Sequence, residues 1–261
     1  MGLVLMRTIV ADLRTVGVRP GAVVLMHSSF ASLGFVPGGP QAAVQAVLEV
    51  LGPDGTLVVP THTPDNSDPS TWSRPPVPPE WWESIRREAP GFDPLRTPPS
   101  PSMGVLAATV RSWPGARRSD HPQVSFAAVG RHAAAVTGTH RLEDPLGEDS
   151  PLGAVYRRDG QVLLLGVGHG NNTSLHLAET RRPDPPRHTT GAVLRRAGDG
   201  GTGQWVTWTE VDPDESDFAQ LGEAFDATGA TRVGRVGEAT ARLMSQRALV
   251  DFGVRWLAGH R

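Results

Sequence analysis

The chain of 261 residues lacks two residue types that many enzymes use for covalent chemistry. It contains no cysteine and no lysine, and all 25 of its basic residues are arginine. The absence of cysteine excludes an acyl-cysteine intermediate, disulfide bonds and cysteine metal sites, and it fits a reducing cytoplasm. The absence of lysine excludes Schiff-base mechanisms and a P-loop. Any catalytic mechanism must therefore proceed without these two nucleophiles.

The sequence also lacks an excess of positive charge and a long apolar run. Its formal net charge of −2 argues against general affinity for nucleic acid, which needs a basic surface. No apolar stretch approaches the roughly 20 residues that span a membrane, and the N-terminal run MGLVLMRT is too short for a signal peptide. We expect a cytoplasmic protein that binds neither nucleic acid nor membranes.

Helical and strand patterns alternate along most of the chain. Apolar strands are predicted, with helices between them, at 22–27, 56–60, 124–129 and 162–165. This alternation predicts a three-layer α/β/α fold with a mixed sheet. Residues 190–196 and 204–211 are typical of a small β-hairpin, and 238–257 is predicted to be a helical C-terminal part. No repeat and no dividing linker is visible, so residues 1–261 are expected to form a single domain.

Residues 64–101 break this periodicity. The segment contains eleven prolines together with Trp72, Trp81 and Trp82. It is too long for an ordinary connection, so it is either a functional loop packed by its tryptophans or a disordered insertion. The tryptophans favour an ordered loop, because disordered segments are poor in aromatic residues.

The stretch from Gln161 to Glu179 predicts a catalytic histidine. It reads as a buried strand, a glycine-flanked turn that holds His169, and a helix capped by Asn172 or Thr173. Ligand crevices of open α/β sheets lie outside the carboxyl ends of the strands, so His169 is expected there as a base. His176 and Glu179 share a helix face with Thr173, so Glu179 is expected to hold the second nitrogen of His169.

Two other strand ends carry polar residues. His27 ends the first strand and precedes the loop SSFASLGFVPGGP, while Thr61, His62 and Thr63 follow the next strand. A strand, a glycine-rich loop and a helix can cradle a phosphate, although ordinary loops of this kind are more common. His27 is a second candidate for the base, or it positions the substrate, whereas His121 and His176 are expected to be structural.

Four segments together resemble the aminoglycoside 3-N-acetyltransferase family, whose fold is unrelated to the GNAT fold. They are MHSSFASLG at 26–34, SMG at 102–104, RSDHPQVSFAAVG at 118–130 and GVGHGNNTSLHLAE at 166–179. The resemblance runs from about residue 8 to the C-terminus, with the segments in family order. It implies acetyl-CoA-dependent N-acetylation of the 3-amino group of aminoglycosides, conferring antibiotic resistance, with no metal.

The resemblance also implies where acetyl-CoA binds. Its expected site is the loop after the first strand and the start of a later helix, that is, Ser28, Ser29, Phe30, Ser32, Leu33, Gly34, Ser102, Met103, Gly104 and Val105.

An acidic stretch suits a cationic acceptor. Between Arg196 and Arg232 there is no basic residue, but there are Asp199, Glu210, Asp212, Asp214, Glu215, Asp217, Glu223 and Asp226. Such a stretch is often only a solvated face, yet beside a base it also suits a polycation such as an aminoglycoside. The expected substrate contacts are Thr63, Asp65, Asp217 and Glu223, with residues 190–226 lining the acceptor site.

Direct acetyl transfer is the predicted mechanism. This reaction needs a base, hydrogen-bond donors for the oxyanion and a binding site for acetyl-CoA. The chain has no G-x-S-x-G motif that would indicate a serine nucleophile. A ternary complex of enzyme, acetyl-CoA and amine is therefore expected, in a monomer or a homodimer. Two alternatives remain: a hydrolase with zinc on His169, His176 and Glu179, and a non-catalytic protein that binds the antibiotic or CoA.

Overall fold

The computed structural model describes residues 2–73, 75–195 and 203–261. Its helices are α1 (Met6–Val16), α2 (Gly39–Leu51), α3 (Trp82–Glu88), α4 (Gly104–Arg111), α5 (Ala133–Thr137), α6 (Pro151–Arg157), α7 (Ser174–Thr180), α8 (Phe218–Asp226) and α9 (Gln246–His260). Its strands are β1 (Val23–Ser28), β2 (Thr56–Pro60), β3 (Arg117–Arg118), β4 (Phe126–Gly130), β5 (Gln161–Leu165), β6 (Arg187–Arg195), β7 (Gly203–Val211), β8 (Arg232–Val236) and β9 (Ala239–Ser245).

Within these ranges one mixed sheet of seven strands has the order β3-β4-β2-β1-β5-β9-β8, and β6 and β7 form a separate hairpin. Strand β1 is parallel to β2 and β5, whereas the outer pairs are antiparallel. The carboxyl ends of the three parallel strands therefore meet at one edge of the sheet. A ligand crevice is expected at that edge, because ligands of open α/β sheets bind between the loops that follow the carboxyl ends of the strands.

Alternation along the strands builds two cores on opposite faces of the sheet. Val24 and Met26 of β1 pack with α1, α2 and α4, while Val23 and Leu25 pack with the helices of the other face. The three-layer α/β/α fold predicted from the sequence is thereby confirmed. His27 has the same parity as Val23 and Leu25, so its side chain is directed to the face that α7 covers.

The C-terminal part differs from its prediction. Residues 239–245 form strand β9, not a helix, and β9 pairs along β5 and β8. Ala, Arg, Leu and Met favour helices, but alternate residues of β9 are buried and the long pairing with β5 overrides that propensity. Helix α9 begins only at Gln246, where the Ser245 hydroxyl accepts a hydrogen bond from the Ala248 N–H.

The segment 64–101 is ordered wherever the structure describes it. It contains α3, and its tryptophan indoles are tied locally: Trp72 Nε1 donates to Ser67 Oγ at 3.1 Å and Trp82 Nε1 donates to the Val77 carbonyl at 3.3 Å. The Phe92 N–H bonds the Val193 carbonyl of the β6–β7 hairpin. The described residues of the segment thus have defined structure, but Trp81 is 56% exposed and Trp72 and Trp82 are only half-buried, so the tryptophans pack the segment only in part.

The hairpin is present, with longer strands than predicted. The predicted end of the first strand at Arg196 and the connection that contains Asp199 lie outside the described residues. In the described ranges, every helix is too short or too polar to cross a membrane.

Candidate active site

A cavity of about 420 Å³ opens at the carboxyl edge of the parallel strands. The end of β1, the residues after β2, the start of α4, and the loop and helix after β5 supply its walls. The polar and flexible side chains that line it include His27, Ser28, His62, Ser102, Met103 and His176. Two strand ends, the turn before α4 and helix α7 thus deliver histidines and serines to the crevice that the topology predicts.

His176 and Glu179 form a hydrogen-bonded pair on α7. The His176 Nδ1 lies 2.6 Å from Glu179 Oε2, and the Glu179 side chain is only 3% exposed. A carboxylate can only accept, so it fixes the Nδ1–H tautomer and leaves the Nε2 lone pair of His176 for the cavity. The pair has the geometry of a base with an orienting carboxylate. His176 therefore lies on the cavity wall, not in the structural position that the sequence predicted for it.

His169 faces away from this cavity. Its ring is buried, its Nε2 lies 3.1 Å from Asp226 Oδ1, and its Nδ1 lies 3.5 Å from the Asn172 amide nitrogen. Asp226 also accepts hydrogen bonds from Thr231 and Arg242. His169 thus ties the loop after β5 to α8 and β9.

The predicted partnership of Glu179 with His169 is wrong. The 3₁₀ turn over His169–Asn171 directs His169 towards α8, whereas i,i+3 spacing on α7 brings Glu179 to His176. The predicted side-chain cap by Asn172 or Thr173 is also not formed. The HLAE run at 176–179 was the signal for the observed pair, because the spacing from His176 to Glu179 is a helical neighbour spacing.

His27 and His62 are neutral imidazoles in the cavity wall. Burial lowers the pKa of His27 to about 3, with a further contribution from His176. Burial also lowers the pKa of His62 to about 3, with smaller contributions from His27 and His176. The Nε2 atom of each ring is buried and has no hydrogen-bond partner in the described structure. His27 is too weak a base for proton transfer near neutrality, but a neutral ring can still position a ligand.

The residues expected to bind CoA separate into two groups. Ser28, Ser102 and Met103 line the cavity. Leu33, by contrast, is fully buried in the core, and a Cβ on Gly34 would lie 2.9 Å from the Gly2 carbonyl oxygen. Both are therefore packed against protein.

The remaining members of that set do not line the central cavity. The Ser32 hydroxyl donates to the Ser29 carbonyl at 2.6 Å, and Phe30 packs partly against the core. Gly104 begins α4 with a φ of 80°, and Val105 beside it is exposed.

The expected substrate contacts are dispersed. Thr63 donates to the Pro122 carbonyl at 2.6 Å, and with exposed Asp65 it lines a separate cavity of about 500 Å³ against the segment 64–101. Asp217 is held by Arg261, whose Nε lies 2.7 Å from its Oδ2. Glu223 is exposed on α8 and does not line the central cavity. Glu215, which the sequence placed in the acidic stretch but did not single out, does line it.

The zinc-ligand set of the hydrolase alternative is not assembled. His169 pairs with Asp226, and Glu179 pairs with His176, so the three expected ligands do not converge. Within residues 2–73, 75–195 and 203–261 no group of three His, Asp or Glu side chains is placed to hold a metal ion. His121 has the predicted structural role, since its Nδ1 accepts the backbone N–H groups of Gln123 and Val124.

Comparison with known proteins gives matches over most of the chain. The family model described as aminoglycoside 3-N-acetyltransferase matches residues 25–258. The chain is 40% identical over 250 residues to the SPbeta prophage-derived aminoglycoside N(3')-acetyltransferase-like protein YokD of Bacillus subtilis, covering 96% of this chain and 91% of that protein. It is 36% identical to aminoglycoside N(3)-acetyltransferase VIII of Streptomyces fradiae, covering 95% and 90%.

Solved structures share the whole fold. The crystal structure of YokD superimposes with a TM-score of 0.91 at 39% identity, covering 97% of this chain and 98% of that one. The binary complex of AAC-IIIb with CoASH superimposes with a TM-score of 0.86 at 30% identity, covering 99% and 98%.

Proposed function

This chain belongs to the aminoglycoside 3-N-acetyltransferase family, and on that premise we propose that it transfers the acetyl group of acetyl-CoA to the 3-amino group of aminoglycosides. The enzyme is an acyltransferase with acetyl-CoA as its donor, in keeping with the CoA-bound relative. Acetylation converts an ammonium-forming amine into a neutral amide, so the product has one positive charge fewer. That loss of charge supports the resistance role that the resemblance implies.

His176 is the general base in this proposal. Its Nε2 takes the proton of the attacking amine as the C–N bond forms at the thioester carbonyl. The C–S bond then breaks, and His176 returns that proton to the CoA thiolate, which leaves as the thiol. Glu179 holds Nδ1 and stabilises the imidazolium that results. The observation that carries the assignment is the 2.6 Å contact of His176 with a buried carboxylate, on a side chain that lines the central cavity.

The two substrates approach this base from different walls. Ser28, Ser102 and Met103, on the side of β1 and α4, are the proposed contacts for the CoA thiol arm. Glu215 is the proposed contact for the cationic acceptor, because it is an acidic residue that lines the same cavity beside Phe218. The amine attacks directly, since the chain offers neither a cysteine nor a lysine for an acyl-enzyme.

The proposal extends to the whole chain as one domain, active as a monomer or a homodimer. Its partners are the two small molecules, and the net charge of −2 supports the exclusion of nucleic acid. The absence of cysteine supports a reducing compartment as its location.

A thiol-release assay against a panel of aminoglycosides tests the function, and two variants test the base. His176→Ala is expected to lower kcat by about 10² to 10⁴ and to leave acetyl-CoA affinity nearly unchanged, the usual result of removing a general base. His169→Asn is the control, because His169 is buried against Asp226 and not in the cavity. It should retain kcat within about tenfold of wild type.

Three outcomes oppose the proposal. A larger loss in His169→Asn than in His176→Ala would return the role of base to His169. Wild-type turnover by His176→Ala would exclude His176. Calorimetric binding of an aminoglycoside with no thiol release from acetyl-CoA would favour the non-catalytic alternative.

A further inference from the structure

The guanidinium of Arg261, directly after α9, is held at the back of the His176–Glu179 pair. Its Nη1 donates to Glu179 Oε1, and its Nε and Nη2 donate to the two carboxylate oxygens of Asp217. The Nη2 also bonds the Asp214 carbonyl, and the side chain is only 12% exposed. A bidentate contact to one carboxylate and a second contact to another fix the guanidinium plane.

Glu179 has both of its oxygens committed in this arrangement. One accepts from His176, and the other accepts from Arg261 and from the Asp214 N–H at 3.2 Å. A carboxylate that is 3% exposed loses most of its hydration, so a hydrogen-bonded cation is needed to compensate its charge. Arg261 supplies that cation from an element distant in sequence.

The other groups around the pair do not replace this charge. Other titratable or charged side chains line the central cavity and the two cavities beside Glu179. They are His27, His62, Glu143, Asp144, Arg182, Glu210, Asp212, Asp214 and Glu215. His27 and His62 are neutral, and most of the others are acidic. Arg182 and Glu179 both line a neighbouring cavity of about 500 Å³, but within the described residues only Arg261 is a cation hydrogen-bonded to Glu179.

We propose that Arg261 is a positioning residue for the transfer reaction, which rests on the proposed role of His176 as base. It compensates the charge of Glu179 and holds that carboxylate in one orientation, so that the hydrogen bond from His176 Nδ1 is kept and the Nε2 lone pair is presented to the amine. Removal of Arg261 adds one net negative charge beside the pair, and a proton bound by the pair is then more stable. The acidic limb of the rate profile should therefore move to higher pH.

The test uses the full chain with saturating acetyl-CoA and an accepted aminoglycoside, over a pH series. Arg261→Gln is expected to lower kcat about tenfold or more near neutral pH and to move the acidic limb upwards by about half a pH unit or more, with little change in the KM for acetyl-CoA. Arg261→Lys keeps the positive charge but not the planar set of guanidinium donors. The acidic limb of its rate profile should therefore lie near the wild-type pH, while kcat is restored only in part. Arg255→Gln, an exposed arginine on α9, is the matched control and should match wild type.

A double-mutant cycle separates positioning from a structural role. If Arg261 acts through Glu179, Arg261→Gln in a Glu179→Gln background should add little to the loss in kcat, whereas independent effects would multiply. Wild-type kcat and pH profile in a folded Arg261→Gln protein would overturn the inference, as would full additivity in the cycle. If Arg261→Gln does not fold, wild-type kcat in Arg261→Lys would overturn it.

These results are distinct from failure of the proposed function. Wild-type turnover by His176→Ala would contradict the assignment of His176 as general base, whatever the Arg261 variants show. Wild-type kinetics in the Arg261 variants, together with a large loss of kcat in His176→Ala, would support His176 as the base and contradict only the positioning role of Arg261.

Discussion

At the residue scale, surroundings decide which histidine carries chemistry. His176 has a carboxylate on one nitrogen and the cavity on the other. His27 and His62 line the same cavity, but burial without a carboxylate partner lowers the pKa of each to about 3. His169 has a carboxylate partner but no cavity. Only His176 combines both properties needed by a general base.

The first prediction concerns His27. His27→Gln is expected to lower kcat/KM by about tenfold or less, through lost positioning, and to leave the acidic limb between about pH 5 and 8 in place. The reason is that a group with a pKa of about 3 does not change its charge in that range. The measurement is kcat/KM over a pH series for wild type and variant. A limb that moves or disappears in His27→Gln would identify His27 as the titrating base.

At the element scale, the position of the loop after β5 depends on how closely α8 approaches it. A Cβ at Gly222 of α8 would lie 2.0 Å from Cγ of the His169 ring. The absence of a side chain at Gly222 thus allows His169 to reach Asp226 on the same helix. A glycine inside a helix costs up to about 1 kcal/mol in propensity, so close packing is the physical reason for it here.

Gly222→Ala is therefore expected to destabilise the protein by about 1 to 3 kcal/mol, despite the gain in helix propensity, because the ring must move. Gly259→Ala on α9 is the matched control, since nothing lies within 4 Å of its Cβ position. It should be neutral or slightly stabilising. Urea unfolding of both variants measures the difference. Equal stabilities would show that the His169 ring relaxes without cost.

Arg118 ties the segment 64–101 to the sheet. Its guanidinium donates to the Thr61 carbonyl at 2.7 Å, to Ser125 Oγ at 2.9 Å and to the Thr97 carbonyl. Burial lowers its pKa to about 10, which still leaves it charged at neutral pH. The Arg118 side chain therefore connects the end of β2 with Thr97, near the C-terminal end of the segment 64–101.

Arg118→Met is expected to cost about 2 to 4 kcal/mol, because several buried acceptors lose their donors. It should also speed proteolysis within 64–101. Arg117→Met, the exposed neighbour on β3, is the control and should stay within about 0.5 kcal/mol of wild type. Urea unfolding and limited proteolysis give the two readouts. Unchanged cleavage in Arg118→Met would mean that other contacts, such as the bond from the Phe92 N–H to the Val193 carbonyl, hold the segment.

At the scale of the whole molecule, buried imidazoles couple stability to pH. Burial lowers the pKa of His27, His62 and His140 from 6.5 to about 3, 3 and 4, and it lowers the pKa of His121 well below 6.5. Between these values and pH 6.5 the unfolded chain binds protons that the native state does not bind. The free energy of unfolding therefore falls as the pH decreases through this window.

We expect the urea midpoint to fall steadily from pH 7 to pH 5, with each such histidine contributing up to about 1.4 kcal/mol per pH unit. His62→Gln should reduce the slope, because it removes one of these groups. His260→Gln, which changes an exposed histidine, is the control and should keep the slope. A wild-type midpoint that is constant from pH 7 to pH 5 would contradict the prediction.

The sequence by itself determined the features that depend on local pattern. The layered α/β fold and the strand at Thr56–Pro60 follow from periodicity and turn residues. The family follows in the same way, because its motifs are local runs. Strand β9 was missed because its residues favour a helix in isolation and become a strand only by pairing with β5.

Only the tertiary structure decided which side chains meet. His169 and His176 lie in the same local stretch after β5, and the sequence offers both as candidates. The turn after β5 directs His169 to α8, whereas α7 places His176 on the cavity wall. Arg261 lies 82 positions from Glu179, so no local pattern relates them. The physical reason is that a base is defined by its partner and its access to the ligand. Packing between elements distant in sequence supplies both.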